Sequence, residues 1–92
     1  MGFEWDTNKA AENKVKHAVS FDEAVEVFSD PYSIEFFDEA HSDLEDRYKL
    51  PGMSSLRILL VIYAEVAGDV IRIISARKAT TNEKKQYEKQ IH

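Results

Sequence analysis

The chain has 92 residues, which suffice for one domain with its own core but not for two. It contains no cysteine, which excludes a disulfide framework, a thiolate zinc site and a cysteine nucleophile. The longest apolar run, Ile58 to Ala64, is too short to cross a bilayer, and the N-terminal residues lack the features of a signal peptide. We therefore expect one soluble, cytoplasmic domain over residues 1–92, with no membrane partner.

The formal charge of -5 is unevenly distributed. Residues 22–46 contain ten carboxylates and no basic residue, whereas the rest of the chain has 12 basic and 7 acidic residues. Because affinity for nucleic acids comes largely from lysine and arginine, the acidic total argues at first sight against such a partner. The split allows a basic cleft that binds RNA; the alternative is that both regions are ordinary solvated faces.

The first predicted elements are a short strand and a helix. Phe3-Glu4-Trp5 alternates apolar and polar residues, and Asp6 is suited to cap a helix from about Thr7 to His17. The thin apolar face of this helix consists of Ala10, Ala11 and Val15. Its polar residues form a stripe at helical spacing, made of Lys9, Asn13, Lys16 and His17. The stripe is either the solvated side of the helix or a surface that contacts phosphates.

A second helix is predicted after Ser20. Ser20 and Glu23 have the spacing of a capping box, and Phe21, Ala24, Val25 and Phe28 follow at core-facing positions. Asp30-Pro31 ends this helix, and Tyr32 to Phe37 then alternates as a strand. The acidic segment 38–46 predicts a solvated loop or a short helical turn. It lacks the spacing and the glycine of an EF-hand, so no metal site is expected.

Strands and a helix complete the chain. Arg47 to Leu50 predicts a strand that Pro51-Gly52 interrupts. Arg57 to Val66 and the β-branched run from Val70 predict an antiparallel hairpin. Thr80 and Glu83 form a capping box for a C-terminal helix. The order predicts an α+β two-layer sandwich with an N-terminal strand, two helices, an antiparallel sheet and a C-terminal helix.

Polar residues of the last strand are candidate site residues. Arg72 lies in an apolar run, where a permanently charged guanidinium needs a partner or a water-filled cleft. Ser75 and Arg77 lie near the end of the strand, just before a helix N-terminus, a suitable place to hold an anion. Alternatively, Arg77 and Arg47 form salt bridges with the acidic segment.

Much of the chain carries the signature of a known family. The matching residues are Phe3-Glu4-Trp5-Asp6, Lys9 with Asn13, Lys16-His17, Val19-Ser20-Phe21 through Ala24, Asp30-Pro31, His41-Ser42, Glu45 with Arg47, and Arg72-Ile73-Ile74-Ser75-Ala76-Arg77 with Glu83 and Tyr87. Together they resemble the BrnT family, toxins of type II toxin-antitoxin systems with a RelE-like fold. One departure is Ala18, where the family usually has glycine, and another is the Leu50-Pro51-Gly52-Met53 turn, which lacks a basic residue often found there.

The resemblance implies a ribonuclease that needs neither a metal nor another cofactor. Such a toxin cuts RNA, inhibits translation and is neutralised in a hetero-oligomer by a BrnA-type antitoxin that also binds DNA. Trp5, Arg47 and Arg77 match family positions that line the active site, and we add Lys9, His17 and Arg72. The expected catalytic residues are therefore Arg47, Arg77, His17 and Lys9, and the expected substrate-binding residues are Trp5, Arg72, Ser75 and Lys16.

Metal-free RNA cleavage needs a base for the ribose 2′-hydroxyl, an acid for the leaving oxygen and positive donors around the phosphate. The arginines suit the last role, and His17 is the natural proton carrier, with Lys9 or Glu45 as alternatives. Trp5 either stacks on a base or anchors the core, and His17 either carries protons or caps its helix. An inactive toxin homologue that acts as a protein-binding or co-repressor module is the second hypothesis, and a purely structural domain is the third.

Overall fold

The computed structural model describes residues 1–91, which form a five-stranded sheet with helices packed on it. The elements are β1 (Gly2–Glu4), α1 (Thr7–His17), α2 (Phe21–Val27), β2 (Phe36–Phe37), a 3₁₀ turn (Glu39–His41), β3 (Tyr48–Met53), β4 (Ile58–Val66), β5 (Val70–Lys78) and α3 (Thr81–Glu88). The strand order is β1-β5-β4-β3-β2, with β1 parallel to β5 and every other pair antiparallel. The predicted α+β fold is confirmed. None of these helices combines the length and the apolar character needed to cross a bilayer.

The core lies between α2 and one face of the sheet, here called the inner face. Alternate residues of β4, Leu59, Val61 and Tyr63, are buried there because successive side chains of a strand point to opposite faces. Buried residues from other elements complete the cluster: Val19, Phe21, Ala24, Val27, Leu50, Ile73 and Ala76. The residues between them on each strand point to the other side of the sheet, the outer face.

The helix α1 docks through an asparagine. Asn13 is 6% exposed; its Nδ2 donates to the carbonyl oxygens of Val19 and Ala76, at 2.9 and 2.8 Å, and its Oδ1 accepts from the Ala76 N–H at 3.1 Å. β1 pairs with β5 only over Val70–Arg72, so Asn13 satisfies backbone groups that a longer neighbouring strand would otherwise pair. The predicted apolar face was therefore largely wrong: Ala10 packs against the core as expected, but Val15 is 89% exposed and Asn13 faces the protein.

Ala18, which follows α1, adopts the left-handed conformation, with φ 57° and ψ 32°. Its N–H donates to the Lys14 carbonyl at 2.9 Å and closes the helix, while its own carbonyl accepts from Arg57 Nη2 at 2.9 Å. Glycine adopts this conformation without the steric cost that a Cβ brings. A glycine at position 18 would therefore relieve backbone strain.

The capping box predicted at Ser20 was only half right. Ser20 Oγ accepts from the Glu23 N–H at 3.1 Å, but the Glu23 side chain does not return to the helix start. It binds Ser54 Oγ at 2.7 Å and the Arg57 guanidinium, with Nη2 to Oε1 at 2.8 Å and Nε to Oε2 at 3.1 Å. This hydrogen-bonding lowers the pKa of Glu23 although burial opposes the shift. A long-range ion pair therefore replaces the local cap and ties α2 to the start of β4.

The strand predicted to stop at Pro51 continues through it. β3 pairs with β2 only at Tyr48 and Lys49, so beyond that point its other side is an edge, where proline removes no ladder hydrogen bond. Gly52 is needed for packing: a Cβ there would lie 2.5 Å from Val27 Cγ1. The predicted strand from Tyr32 was also too long, because backbone and side-chain oxygens of Asp30 bind the N–H groups of Ser33 and Tyr32 in a turn.

We predict that Asn13→Ala lowers the free energy of unfolding by about 2–4 kcal/mol, because three hydrogen bonds are lost and buried backbone groups are left unpaired. Urea unfolding followed by circular dichroism measures the change. The matched control is Asn8→Ala on the exposed side of the same helix, which should change the stability by less than about 0.5 kcal/mol. Equal effects of the two variants would contradict the edge-pairing role of Asn13.

We predict that Ala18→Gly stabilises the protein by about 0.5–1 kcal/mol, since relief of the left-handed strain exceeds the added entropy of the unfolded chain. Thermal unfolding measures the shift. The control is Ala11→Gly, at an exposed position inside α1, which should destabilise by about 1 kcal/mol. Destabilisation by both glycines would show that the strain at Ala18 is small.

Candidate functional site

A β-bulge in β5 brings its polar residues to one face. Ile62 of β4 pairs with Ser75 and Tyr63 pairs with Ile73, so Ile74 is an extra residue on β5. Arg72 and Arg77 are five residues apart and would point to opposite faces of a regular strand, because the side-chain period is two. The bulge shifts the alternation by one residue, and both arginines lie on the outer face.

The outer face carries a cleft of about 410 Å³. Its floor is apolar, with Leu60, Ile62 and Ile74 from the two central strands. Charged and polar side chains surround the floor: Asp38, His41, Arg47, Lys49, Ser75, Arg77 and Glu83. The arrangement combines an apolar base with converging basic groups, as expected of a site for a ligand that has both rings and phosphates.

The loop between β2 and β3 is closed by its own hydrogen bonds. The Asp38 N–H donates to the Arg47 carbonyl at 2.8 Å, and Ser42 Oγ donates to the Asp38 carbonyl at 2.5 Å and accepts from the Arg47 N–H at 3.0 Å. The Asp38 carboxylate, which is almost fully buried, binds His41 Nδ1 at 3.1 and 3.2 Å. The loop therefore holds His41 and Arg47 at the rim of the cleft.

Arg47 contributes an unsatisfied donor. Among residues 1–91, its Nε is the one buried side-chain nitrogen or oxygen without a hydrogen-bond partner. Glu45 Oε1 lies 3.7 Å away, which is too far for a hydrogen bond. The other oxygen of Glu45 pairs with Arg72 Nη1 at 3.2 Å, and Glu4 approaches Arg72 Nε at 3.4 Å. Buried donors are almost always paired in folded proteins, so this Nε is unusual, and the 32% exposed side chain leaves the rest of the guanidinium open to the cleft.

Arg77 is held by the start of α3. Its Nη1 and Nη2 donate to the two oxygens of Glu83 at 2.8 and 2.9 Å, and Glu83 Oε1 also accepts from the Thr80 N–H at 2.8 Å. The predicted capping box of α3 is thus confirmed, and the same carboxylate has a second role in the cleft. The hydrogen-bonding from Arg77 lowers the pKa of Glu83, with burial opposing the shift, and the same pair raises the pKa of Arg77.

The structure brings some of the sequence-predicted site residues together. Arg47, Ser75 and Arg77 line the cleft, and Arg72 is joined to Arg47 through Glu45. The other predicted residues, Trp5, Lys9, Lys16 and His17, are not among the residues that line it. Lys9 and Lys16 are exposed on α1, and the Trp5 ring packs edge-on against Phe21, with ring centroids 5.9 Å apart.

Two cleft residues were missed as site residues in the sequence analysis. The sequence predicts His41 in an acidic loop and Lys49 in a strand, and assigns neither of them to the site. The spacing of His41 three residues after Asp38 was a usable signal, because such a pair can meet across a single turn. Among residues 1–91, no three His, Asp or Glu side chains lie close enough together to hold a metal ion.

A second cleft, of about 330 Å³, is acidic. Three carboxylates line it, from Glu35, Glu65 and Asp69, together with Tyr63. Burial and the neighbouring Glu65 raise the pKa of Glu35, as expected where like charges gather. None of its lining residues has a basic side chain, and the N-terminal ammonium of Met1, which also lines it, is already paired with Asp69 at 3.1 Å. A phosphate would be repelled there, so the two clefts differ in the ligands that they suit.

Comparison with known proteins agrees with this geometry. The sequence profile of a family described as "Ribonuclease toxin, BrnT, of type II toxin-antitoxin system" matches residues 5–83. The chain belongs to the BrnT family. The crystal structure of the ribonuclease toxin BrnT from Brucella abortus superposes with a TM-score of 0.70 at 27% identity, and the match covers 88% of this chain and 99% of that one. A search of curated proteins finds no match.

Membership of the BrnT family carries several functional implications. It assigns the chain to the ribonuclease toxins of type II toxin-antitoxin systems, which implies RNA as substrate and a cognate antitoxin as partner. The match begins at Trp5, just after β1, and includes the cleft residues from Asp38 to Glu83. The family and the fold that the sequence predicted are therefore both confirmed.

We predict that Glu83→Gln destabilises the protein at pH 7 and that this difference disappears in acid. The folded pKa of Glu83 lies below the unfolded value of about 4.3, so the pair with Arg77 contributes fully above that value and is lost as the pH falls through the folded pKa. Thermal unfolding of wild type and variant from pH 7 to pH 3 tests this. Glu88→Gln, at an exposed position of α3, is the control. A constant difference across the range would contradict the role of the ionised pair.

Proposed function

We propose that this chain cleaves RNA in the outer-face cleft without a metal ion, using Arg47 and Arg77 to bind the reacting phosphate. The observation that carries the proposal is the partly exposed guanidinium of Arg47, whose Nε has no hydrogen-bond partner, in a cleft that contains a second arginine. A guanidinium presents donors in a planar fork that matches two phosphate oxygens. The cleft thus supplies what an RNA phosphate needs and what the neighbouring acidic cleft lacks.

The chemistry follows from RNA itself. The ribose 2′-oxygen attacks the adjacent phosphorus, and negative charge accumulates on the non-bridging oxygens as the 5′-oxygen leaves. Donors fixed before the reaction stabilise that charge more effectively than mobile water does. Arg47, Arg77 and Lys49 line the cleft and provide positive charge without a metal. The apolar floor of Leu60, Ile62 and Ile74 offers a surface on which a base can lie.

The remaining predicted residues receive different roles. Ser75 lies in the cleft and is proposed to contact the substrate, while Arg72 is proposed to fix Glu45 beside Arg47. Lys9 and Lys16 are exposed and are proposed to attract the RNA backbone outside the cleft. We assign Trp5 to the packing of α2, since its ring contacts Phe21. His17 receives no role in this proposal.

Cleavage of cellular RNA in the cytoplasm is proposed to inhibit translation, with a DNA-binding, BrnA-type antitoxin neutralising the toxin in a hetero-oligomer. The second candidate is an inactive homologue that serves as a protein-binding or co-repressor module. One observation favours it: both Nη atoms of Arg77 are occupied by Glu83, so a phosphate would have to displace a carboxylate. Turnover of RNA separates these two candidates.

We predict that the purified protein cuts a labelled single-stranded RNA in the presence of EDTA and that Arg47→Ala and Arg77→Ala each reduce kcat/KM at least ~100-fold. Arg77→Lys should restore little activity, because lysine keeps the positive charge but lacks the planar pair of N–H donors that matches two phosphate oxygens. Lys14→Gln, an exposed charge change on α1, is the control and should stay within about twofold. All variants are first checked for folding by circular dichroism.

The outcomes distinguish the candidates. Cleavage that survives EDTA and is lost in the arginine variants supports the ribonuclease. Binding of RNA without turnover, weakened by salt and by both arginine substitutions, supports the inactive module. Because some substrates are presented only by ribosomes, the assay is repeated on translating ribosomes before inactivity is concluded.

A further inference from the structure

We propose that His41 is the general base of the cleavage reaction and that Asp38 is the residue that positions it. This inference rests on the proposed function, because it names the group that takes the proton of the ribose 2′-hydroxyl in the same cleft. It stands on three observations: the hydrogen bond between Asp38 and His41, the burial of Asp38, and the place of His41 in the cleft lining.

The Asp38 carboxylate is held rigidly. Its side chain is 6% exposed, its N–H donates to the Arg47 carbonyl, and its carbonyl accepts from Ser42 Oγ. Both carboxylate oxygens lie within 3.2 Å of His41 Nδ1. An ionised carboxylate only accepts hydrogen bonds, so the neutral ring carries its proton on Nδ1 and leaves the lone pair on Nε2. A buried carboxylate that fixes the tautomer and orientation of a histidine also supports proton transfer in hydrolases.

His41, the exposed residue of the Asp38–His41 pair, is the one that must reach the RNA. The His41 side chain is 69% exposed, in contrast to its buried partner, so RNA can reach the ring. His41 lines the same cleft as Arg47 and Arg77, whose guanidinium groups we assign to the phosphate. The other acid at the cleft, Glu83, has a pKa below its ordinary value because of its hydrogen bonds to Arg77, and it is already committed to that pair. His41 is therefore the better proton acceptor.

The proposed step balances without a further reactant. His41 Nε2 takes the proton of the 2′-hydroxyl, the 2′-oxygen forms a bond to phosphorus, and the bond from phosphorus to the 5′-oxygen breaks. The departing 5′-oxygen takes a proton from water. The products are an RNA end with a 2′,3′-cyclic phosphate and an RNA end with a 5′-hydroxyl. His41 then returns its proton to solvent, and no oxidation or reduction occurs.

The test compares His41→Ala, His41→Gln and Asp38→Asn with wild type on the labelled RNA. Both His41 variants should lose at least ~100-fold in kcat, and added imidazole should restore part of the activity of His41→Ala but not of Arg77→Ala. Asp38→Asn should lower kcat at least ~10-fold while KM stays within about twofold, because it disturbs the tautomer and not the phosphate contacts. The released ends are analysed for the cyclic phosphate.

The pH profile is the second readout. The wild-type profile of kcat/KM should contain an ionisation that is missing from the profile of His41→Gln. The charged groups that share the cleft with His41 are Asp38, Arg47, Lys49, Arg77 and Glu83. Glu83→Gln is therefore measured in parallel, and its profile should keep the ionisation. This comparison separates titration of His41 from titration of its acidic neighbour.

Each result decides the question. Wild-type cleavage that depends on Arg77 but survives in His41→Ala would overturn the dyad and leave the ribonuclease standing. Loss of activity in His17→Ala, with His41→Ala active, would place the base on α1 instead. If Asp38→Asn lowers stability but leaves kcat and the pH profile unchanged, the Asp38–His41 bond only closes the loop. A wild type that cuts neither free nor ribosome-bound RNA would overturn both proposals.

Discussion

The extra residue in β5 is the constraint on which the cleft depends. With Ile74 inserted opposite the Ile62–Tyr63 step, Ile73 and Ala76 can both be buried on the inner face although they are three residues apart. The same shift places Arg72 and Arg77 together on the outer face. Without the bulge, one arginine would have to enter the core, where an unpaired guanidinium is costly. One inserted residue thus allows apolar side chains to fill the core while both arginines stay on the outer face.

Several carboxylates of the acidic segment are engaged by partners within the fold. Glu23 binds Arg57, Glu45 binds Arg72 and Asp38 binds His41. Asp30 accepts from the hydroxyl of Tyr87 at 2.5 Å; burial acts to raise the pKa of Asp30, but this bond and two backbone N–H groups bring it below its ordinary value. The negative net charge is therefore compatible with a basic cleft, because many carboxylates orient basic groups or dock helices.

Sequence patterns correctly predicted those features of the fold that depend on neighbouring residues, such as the helix N-caps. The N-cap hydrogen bonds of Asp6, Ser20 and Thr80 formed as expected, since each joins residues within three positions, whereas the full capping box formed only at Thr80. Features set by distant residues were not predictable in this way. The Glu23 side chain leaves its expected cap for Arg57, which lies 34 residues away, and Asn13 turns inward because β1 is too short to cover β5. The cleft shows the same limit: Arg47 and Arg77 were expected, whereas His41 and Lys49 come into it through tertiary structure.

Glu83 couples the cleft to the C-terminal helix. Its carboxylate caps α3 through the Thr80 N–H and at the same time occupies the fork of Arg77. If a phosphate takes the fork, it replaces one anion with another, so the charge of Arg77 stays compensated while α3 keeps its local cap through Thr80. Docking of α3 also relies on Tyr87, which is 5% exposed and bound to Asp30. The helix can therefore remain docked when Arg77 changes partner. Substrate binding then does not have to weaken the docking of α3, although the Glu83 carboxylate takes part in both.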